Sequence, residues 1–116
     1  MAQLQDPHRL ILQLCSEEHV GLWFIVPHIE DYYRGDKPDA LRQRTLEVLK
    51  TLLESGEIEA GHPAPNGKNF VGWSTPPRES IARIEREWTA LGRAPSIGDI
   101  VWFRATHAGM ERLKPK

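Results

Sequence analysis

Residues 52–77, LLESGEIEAGHPAPNGKNFVGWSTPP, contain the clearest start and stop signals in this 116-residue chain. An apolar helical run ends at Gly56, a residue type that adopts the left-handed backbone of a helix C-terminus. The sequence predicts a strand that begins at Ile58 and a return strand over residues 70–73. A tip rich in Pro, Asn and Gly, over residues 63–67, would connect the two strands. The stretch therefore predicts the end of a helix followed by a β-hairpin.

Three helices are predicted before this hairpin. Asp6 followed by Pro7 predicts the start of the first, because Asp accepts hydrogen bonds from free amides and Pro is tolerated in the first turn. The apolar residues of segment 22–33 follow helical spacing, although a proline inside it would kink the helix. A strand over residues 22–26 followed by a short helix is the alternative, and we favour the helix. The continuous apolar stripe over residues 41–53 predicts the third helix.

After the hairpin the sequence predicts a further helix and a strand. Thr75 is predicted to cap that helix, with Pro76 in its first turn. Apolar residues then recur at helical spacing until Gly92, which is the predicted stop. A short apolar strand over residues 100–103 closes the domain, and residues 107–116 suggest one helical turn before a basic end.

The chain length suits one domain, residues 1–116, with one modest core. Three helices before a β-hairpin resemble the winged-helix architecture. The predicted fold class is α+β: a winged-helix-like helical core with a β-hairpin over about residues 7–75, plus an extra helix and a C-terminal strand over about residues 76–106.

The composition limits the function. The 15 Lys and Arg residues and 16 Asp and Glu residues give a formal net charge of −1, whereas nucleic-acid-binding domains usually have a clear basic excess.

Cys15 is the only cysteine, which excludes an intramolecular disulfide and fits a reducing cytosol. Cys15 lies on an apolar helical face, which predicts that it is buried. No apolar run approaches the roughly 18 residues of a membrane helix, and no signal-peptide pattern is present. We therefore predict a cytoplasmic protein that does not involve the membrane.

No sequence pattern typical of catalysis is present. The five histidines have no metal-ligand spacing with cysteine or carboxylates, and the common nucleophile, phosphate and dinucleotide motifs are missing. We predict no enzyme activity, no metal and no cofactor. His62, beside Pro63, is interpreted as an exposed loop residue. Among four tryptophans, Trp88 is predicted to lie in the core, and Trp73 is a candidate to hold the added helix.

A DNA-binding regulator is the alternative function that the fold suggests, because a winged helix places its third helix in the major groove. Acidic residues around the start of that helix weigh against this alternative, because they would face phosphates. The candidate DNA-contacting residues are Arg42, Gln43, Arg44 and Lys50 on the third helix and Lys68 at the hairpin tip.

An acidic and aromatic cluster lies between the second and third helices, and it would complement a basic protein partner. A solvated loop with one tyrosine packed inward is the plainer interpretation of the same residues. The predicted partner-binding residues are Glu30, Asp31, Tyr32, Tyr33, Asp36 and Asp39.

Four segments, LWFIV, TLEVLKTLLESGEIEAG, NFVGWSTPPRESI and GDIVWF, together resemble small bacterial proteins that include immunity proteins of contact-dependent growth-inhibition systems. The resemblance implies a cytosolic, non-enzymatic protein that binds and blocks a cognate toxin, often a nuclease, with acidic groups that mimic nucleic acid. The segment that carries Glu30, Asp31, Asp36 and Asp39 is the part that suits this role. The predicted function is therefore a protein-binding module whose partner is a toxin domain; the oligomeric state stays open.

Overall fold

The computed structural model describes residues 6–66 and 69–114, in which five helices and four strands form an α+β fold. The predicted α+β class is confirmed, and the winged-helix likeness stays a prediction. The elements are α1 (Pro7–Glu17), β1 (Val20–Gly21), α2 (Leu22–Tyr32), α3 (Pro38–Glu54), β2 (Ile58–Pro63), β3 (Phe70–Gly72), α4 (Pro77–Leu91), β4 (Trp102–Ala105) and α5 (His107–Leu113).

The four strands form one antiparallel sheet in the order β1-β4-β2-β3. Strand β4 lies between β1 and the hairpin, so Phe103 pairs with Val20 on one side and with Ala60 on the other. Because side chains alternate across a strand, Phe103 and Ala105 face the helices, and both are buried. The last strand of the described chain therefore joins β1 to the hairpin.

The predicted helix boundaries depend on local chemistry, and most are confirmed. The Asp6 carboxylate accepts a hydrogen bond of 2.8 Å from the backbone N–H of His8 and caps α1. Gly56 and Gly92 have φ values of 76° and 70° just after α3 and α4, a backbone conformation that glycine adopts without strain. Residues 22–26 belong to helix α2, with Pro27 inside it, as the favoured interpretation predicted.

Three local predictions need correction. Thr75 does not cap α4, which begins one residue later with Pro76 at the N-cap position; the Thr75 hydroxyl instead lies 2.6 Å from the Ser80 hydroxyl. Strand β4 begins at Trp102 because Ile100 has a φ of 69°, which interrupts an extended backbone. Helix α5 spans seven residues rather than one turn.

The core lies between the inner face of the sheet and the helices. Trp88 is buried, as predicted, and so is Cys15. Removal from water raises the pKa of the Cys15 thiol to about 12, because burial disfavours the charged thiolate. The fully buried apolar side chains include Ile11, Leu22, Ile25, Ile29, Leu49, Ile84, Val101 and Phe103.

His62 is part of the structure rather than an exposed loop residue, so that prediction is wrong. It lies in β2, half-buried, and its Nδ1 accepts a 3.0 Å hydrogen bond from the indole N–H of Trp73. Its Nε2 therefore carries the proton and donates to the Ile100 carbonyl at 3.1 Å. The Arg83 guanidinium of α4 lies 3.8 Å from the Trp73 ring centroid. This network connects the hairpin to α4 and to the segment before β4.

Candidate functional site

The first group of predicted partner-binding residues lies in the last turn of α2. Glu30, Asp31 and Tyr32 are all exposed, and the phenol ring of Tyr32 is 40% exposed. Within residues 6–66 and 69–114, no ion pair involves Glu30 or Asp31. Both carboxylates are therefore available to a partner.

The second group packs against the protein itself. The Arg44 Nε donates to an Asp36 carboxylate oxygen at 3.0 Å, and its guanidinium lies 4.1 Å from the Tyr33 ring centroid. The hydrogen bond with Asp36 raises the pKa of the Arg44 guanidinium above its ordinary value. Tyr33 is half-buried and packs against the core. Asp36 and Tyr33 thus hold the α2–α3 turn and present little free charge.

Asp39 and Arg42 form a weaker pair at the start of α3. The Arg42 Nη2 lies 3.8 Å from an Asp39 carboxylate oxygen, and the Asp39 side chain is almost fully exposed. The Arg42 Nη1 donates to the Thr89 hydroxyl of α4 at 3.3 Å. Its buried Nε finds no hydrogen-bond partner in the described part of the chain. Arg42 therefore connects α3 to α4 and is turned away from the open surface.

The candidate DNA-contacting residues do not form a free basic patch. Arg42 and Arg44 each face a carboxylate, while Gln43 and Lys50 are exposed on α3. Lys68 lies outside the described residues. Phosphate binding depends on several cations that have no carboxylate partner. Among the described residues of α3, Lys50 is the one cation without such a partner. This arrangement weighs against DNA binding.

Sequence reasoning missed two residues of α2, the exposed Phe24 and the half-buried His28. The Phe24 side chain is 48% exposed, and its ring centroid lies 5.0 Å from that of His28. The imidazole Nδ1 of His28 is 2.9 Å from the Phe24 carbonyl oxygen. Residues 24, 28 and 32 recur every four positions and so share one side of the helix. We call Phe24, His28, Asp31 and Tyr32 the α2 face; Glu30, two positions from both His28 and Tyr32, lies on the opposite side of the helix.

The signal for Phe24 was present in the sequence. The apolar stripe that α2 turns toward the core contains Leu22, Ile25 and Ile29, all of them buried. Phe24 falls outside that stripe. A helix that is apolar beyond its core-facing stripe has surface left for another contact.

The two carboxylates in the last turn of α2 oppose the electrostatics of the helix. Glu30 and Asp31 lie in the last turn of α2, which has no basic residue. A helix C-terminus carries a partial negative charge, so an anion there costs roughly 0.3–1 kcal/mol at low ionic strength. The last turn of α2 therefore carries two carboxylates at the helix end where negative charge is disfavoured, and Asp31 adjoins the exposed Tyr32 along the helix.

A cleft of about 390 Å³ opens between α2, the start of α3 and the end of α4. Val26, Leu41 and Trp88 form apolar walls, while Glu30 and Asp39 bring carboxylates to it. Glu30 thus belongs to the cleft, on the side of α2 away from the α2 face.

No protein-family model, curated protein or solved structure matches the chain. In the described residues, no helix is long and apolar enough to cross a membrane. Across the same residues, no three His, Cys, Asp or Glu side chains are grouped in a way that could hold a metal ion.

Proposed function

We propose that this chain is a non-enzymatic protein-binding module whose contact surface is the α2 face. One observation carries the proposal: the α2 face exposes the Asp31 carboxylate, which has no ion-pair partner in the described chain, together with the exposed rings of Phe24 and Tyr32. Aromatic side chains supply much of the energy of protein interfaces. Unpaired carboxylates beside them select a partner with a basic surface and speed its association.

The partner that suits this surface is a toxin domain that acts on nucleic acid. Such a domain needs a basic groove for phosphates, and the last turn of α2 offers acidic groups that would occupy it. The resemblance to immunity proteins points to the same role, in the cytoplasm. In this mechanism the bound module excludes the substrate, and no residue of the chain has to react.

A winged-helix DNA-binding regulator is the competing function. It requires free cations on α3, and the pairing of Arg42 with Asp39 and of Arg44 with Asp36 weighs against it. A regulator would bind duplex DNA with an affinity that falls steeply as salt rises. Duplex binding of this kind by the purified chain would favour the regulator.

If a large secreted protein is encoded beside this chain, co-expression with the C-terminal domain of that protein tests the proposal. We expect a complex that co-purifies and restores growth. Tyr32→Ala and Asp31→Lys should each weaken the complex, by about tenfold or more if these residues are interface hot spots. Glu54→Lys, which reverses an exposed charge at the far end of α3, is the matched control and should bind normally. Absence of both complex and growth rescue would refute the toxin assignment.

A further inference from the structure

We propose that His62 is a pH-operated switch: when its imidazole gains a second proton, it releases Trp73 while it keeps its contact with Ile100. The inference goes beyond the proposed function and does not depend on a partner. It concerns the place where the hairpin, α4 and the segment before β4 meet. Histidine is the residue type whose charge ordinarily changes between about pH 8 and pH 5.

The two hydrogen bonds of His62 require a neutral ring. The indole nitrogen of Trp73 can only donate, and it lies 3.0 Å from Nδ1. The carbonyl oxygen of Ile100 can only accept, and it lies 3.1 Å from Nε2. Nδ1 must therefore offer a lone pair while Nε2 carries a proton, and this combination exists only in the neutral imidazole.

A second proton acts on one side of the ring only. It occupies Nδ1, where it faces the indole N–H of Trp73, and two donors cannot form a hydrogen bond with each other. Nε2 keeps its own proton in the charged ring, and a charged donor makes the stronger hydrogen bond to the Ile100 carbonyl. Protonation of His62 therefore breaks the contact with Trp73 and preserves the contact with Ile100.

The charged groups of α4 do not compensate an imidazolium at His62. Glu79, Arg83 and Glu87 recur every four positions and so share one side of the helix. The Arg83 guanidinium lies 3.8 Å from the Trp73 ring centroid, and its Nε lies 2.7 Å from a Glu87 carboxylate oxygen. The His62 and Trp73 ring centroids are 5.6 Å apart. An imidazolium would thus adjoin the same indole as a guanidinium, which adds repulsion to the lost hydrogen bond.

Carboxylates on the other neighbouring elements already have arginine partners. Asp99, in the segment before β4, pairs with Arg93 at 2.9 Å, and Glu59 of β2 pairs with Arg104 of β4. No ion pair within residues 6–66 and 69–114 includes His62. The charged ring would therefore lack a carboxylate partner in the described chain.

Backbone strain lies at both partners of His62. Ser74, which follows Trp73, has a φ of 58°, and Ile100 has a φ of 69°; these are the non-glycine residues of the described chain with positive φ. Such conformations are unfavourable for residues with a Cβ, above all for a β-branched isoleucine, and they persist where surrounding contacts hold them. Release of Trp73 removes a contact that holds the chain at Ser74, whereas Ile100 stays held. The connection from β3 to α4 is therefore the segment that changes.

NMR spectra of the full ¹⁵N-labelled chain, recorded between about pH 8 and pH 5, test the inference. Trp73→Phe identifies the indole peak of Trp73, because that variant lacks it. We expect this indole proton to shift upfield as the His62 ring gains its proton, and the amides of residues 74 and 75 to shift with the same midpoint. The amides of residues 99–101 should change less. The indole peaks of the other three tryptophans are internal controls.

Matched variants locate the effect. His62→Asn offers an amide oxygen in place of Nδ1 and does not titrate, so its Trp73 indole peak should not move with pH. His107→Asn, at an exposed histidine of α5, should keep the response of the parent chain.

Three results would overturn the inference. The first is a Trp73 indole peak that stays in place while the His62 ring is protonated. The second is a His62 ring that remains neutral down to about pH 5. The third is a larger shift at residues 99–101 than at residues 74 and 75, because the release would then be on the Ile100 side.

Discussion

The acidic end of α2 should reduce the stability of the fold, and neutralising it should increase that stability. The double variant Glu30→Gln/Asp31→Asn removes both charges with little change in side-chain volume. Both residues lie in the last turn of α2, which has no compensating basic residue. We therefore expect the variant to have a higher free energy of unfolding and a weaker affinity for a basic partner.

The magnitude follows from the helix end. Each anion at an exposed helix C-terminus costs about 0.3–1 kcal/mol, so the pair should contribute about 0.6–2 kcal/mol at low ionic strength. With an m-value of about 2 kcal/mol/M in urea, a gain of 1 kcal/mol moves the unfolding midpoint up by about 0.5 M. The gain should shrink in 1 M salt, where the screening length is about 3 Å.

Urea titrations of the variant and the parent chain at low and high salt measure this effect. Glu47→Gln is the control, because Glu47 is exposed in the middle of α3 and away from either helix end. A lower midpoint for the double variant would show that the carboxylates stabilise the chain through contacts of their own. An equal gain for Glu47→Gln would show that the effect reflects overall charge. Either result would refute the reasoning from the helix end.

Three further predictions concern the scaffold. His62→Ala and Trp73→Phe should couple in a double-mutant cycle by about 0.5–3 kcal/mol, because one hydrogen bond joins the two rings; additive losses of stability would contradict this. Gly61→Ala should destabilise the hairpin by about 1–3 kcal/mol, because its Cβ would lie 2.1 Å from the Val71 carbonyl oxygen; an unchanged urea midpoint would contradict it. Since the pKa of Cys15 is raised from 9.0 to about 12, its contribution to stability is complete below pH 9 and falls as pH rises toward 12. Cys15→Ala should therefore lose less stability than the parent chain over that pH range, and parallel pH profiles would contradict the assignment.

Features that depend on neighbouring residues were predictable from the sequence. The Asp6 cap, the glycine stops at residues 56 and 92, and the apolar stripe of α3 each involve contacts within a few positions. Contacts between residues far apart in the sequence were not predictable in this way. His62 was misplaced because its partner, the carbonyl of Ile100, lies 38 positions away.

The candidate site was predictable in part. Composition alone identified the acidic and aromatic residues near the end of α2. It did not separate Glu30 and Asp31, which have no ion-pair partner among the described residues, from Asp36, which Arg44 neutralises across eight positions. Nor did it predict the cleft, because the cleft requires α4 to pack beside the α2–α3 turn and bring Trp88 against Leu41. That packing is a property of the tertiary fold and leaves no mark on local spacing.

The position of β4 between β1 and β2 has a consequence for how the chain folds. Until residues 102–105 are available, β1 has no strand beside it and the β2 edge of the hairpin is unpaired. Contacts between segments so far apart in sequence form slowly, because a long loop must close before they gain any free energy. During synthesis the hairpin therefore emerges with an open edge that can pair with another chain. Insertion of Phe103 should coincide with the rate-limiting step of folding, and a chain interrupted before Trp102 should remain prone to aggregation.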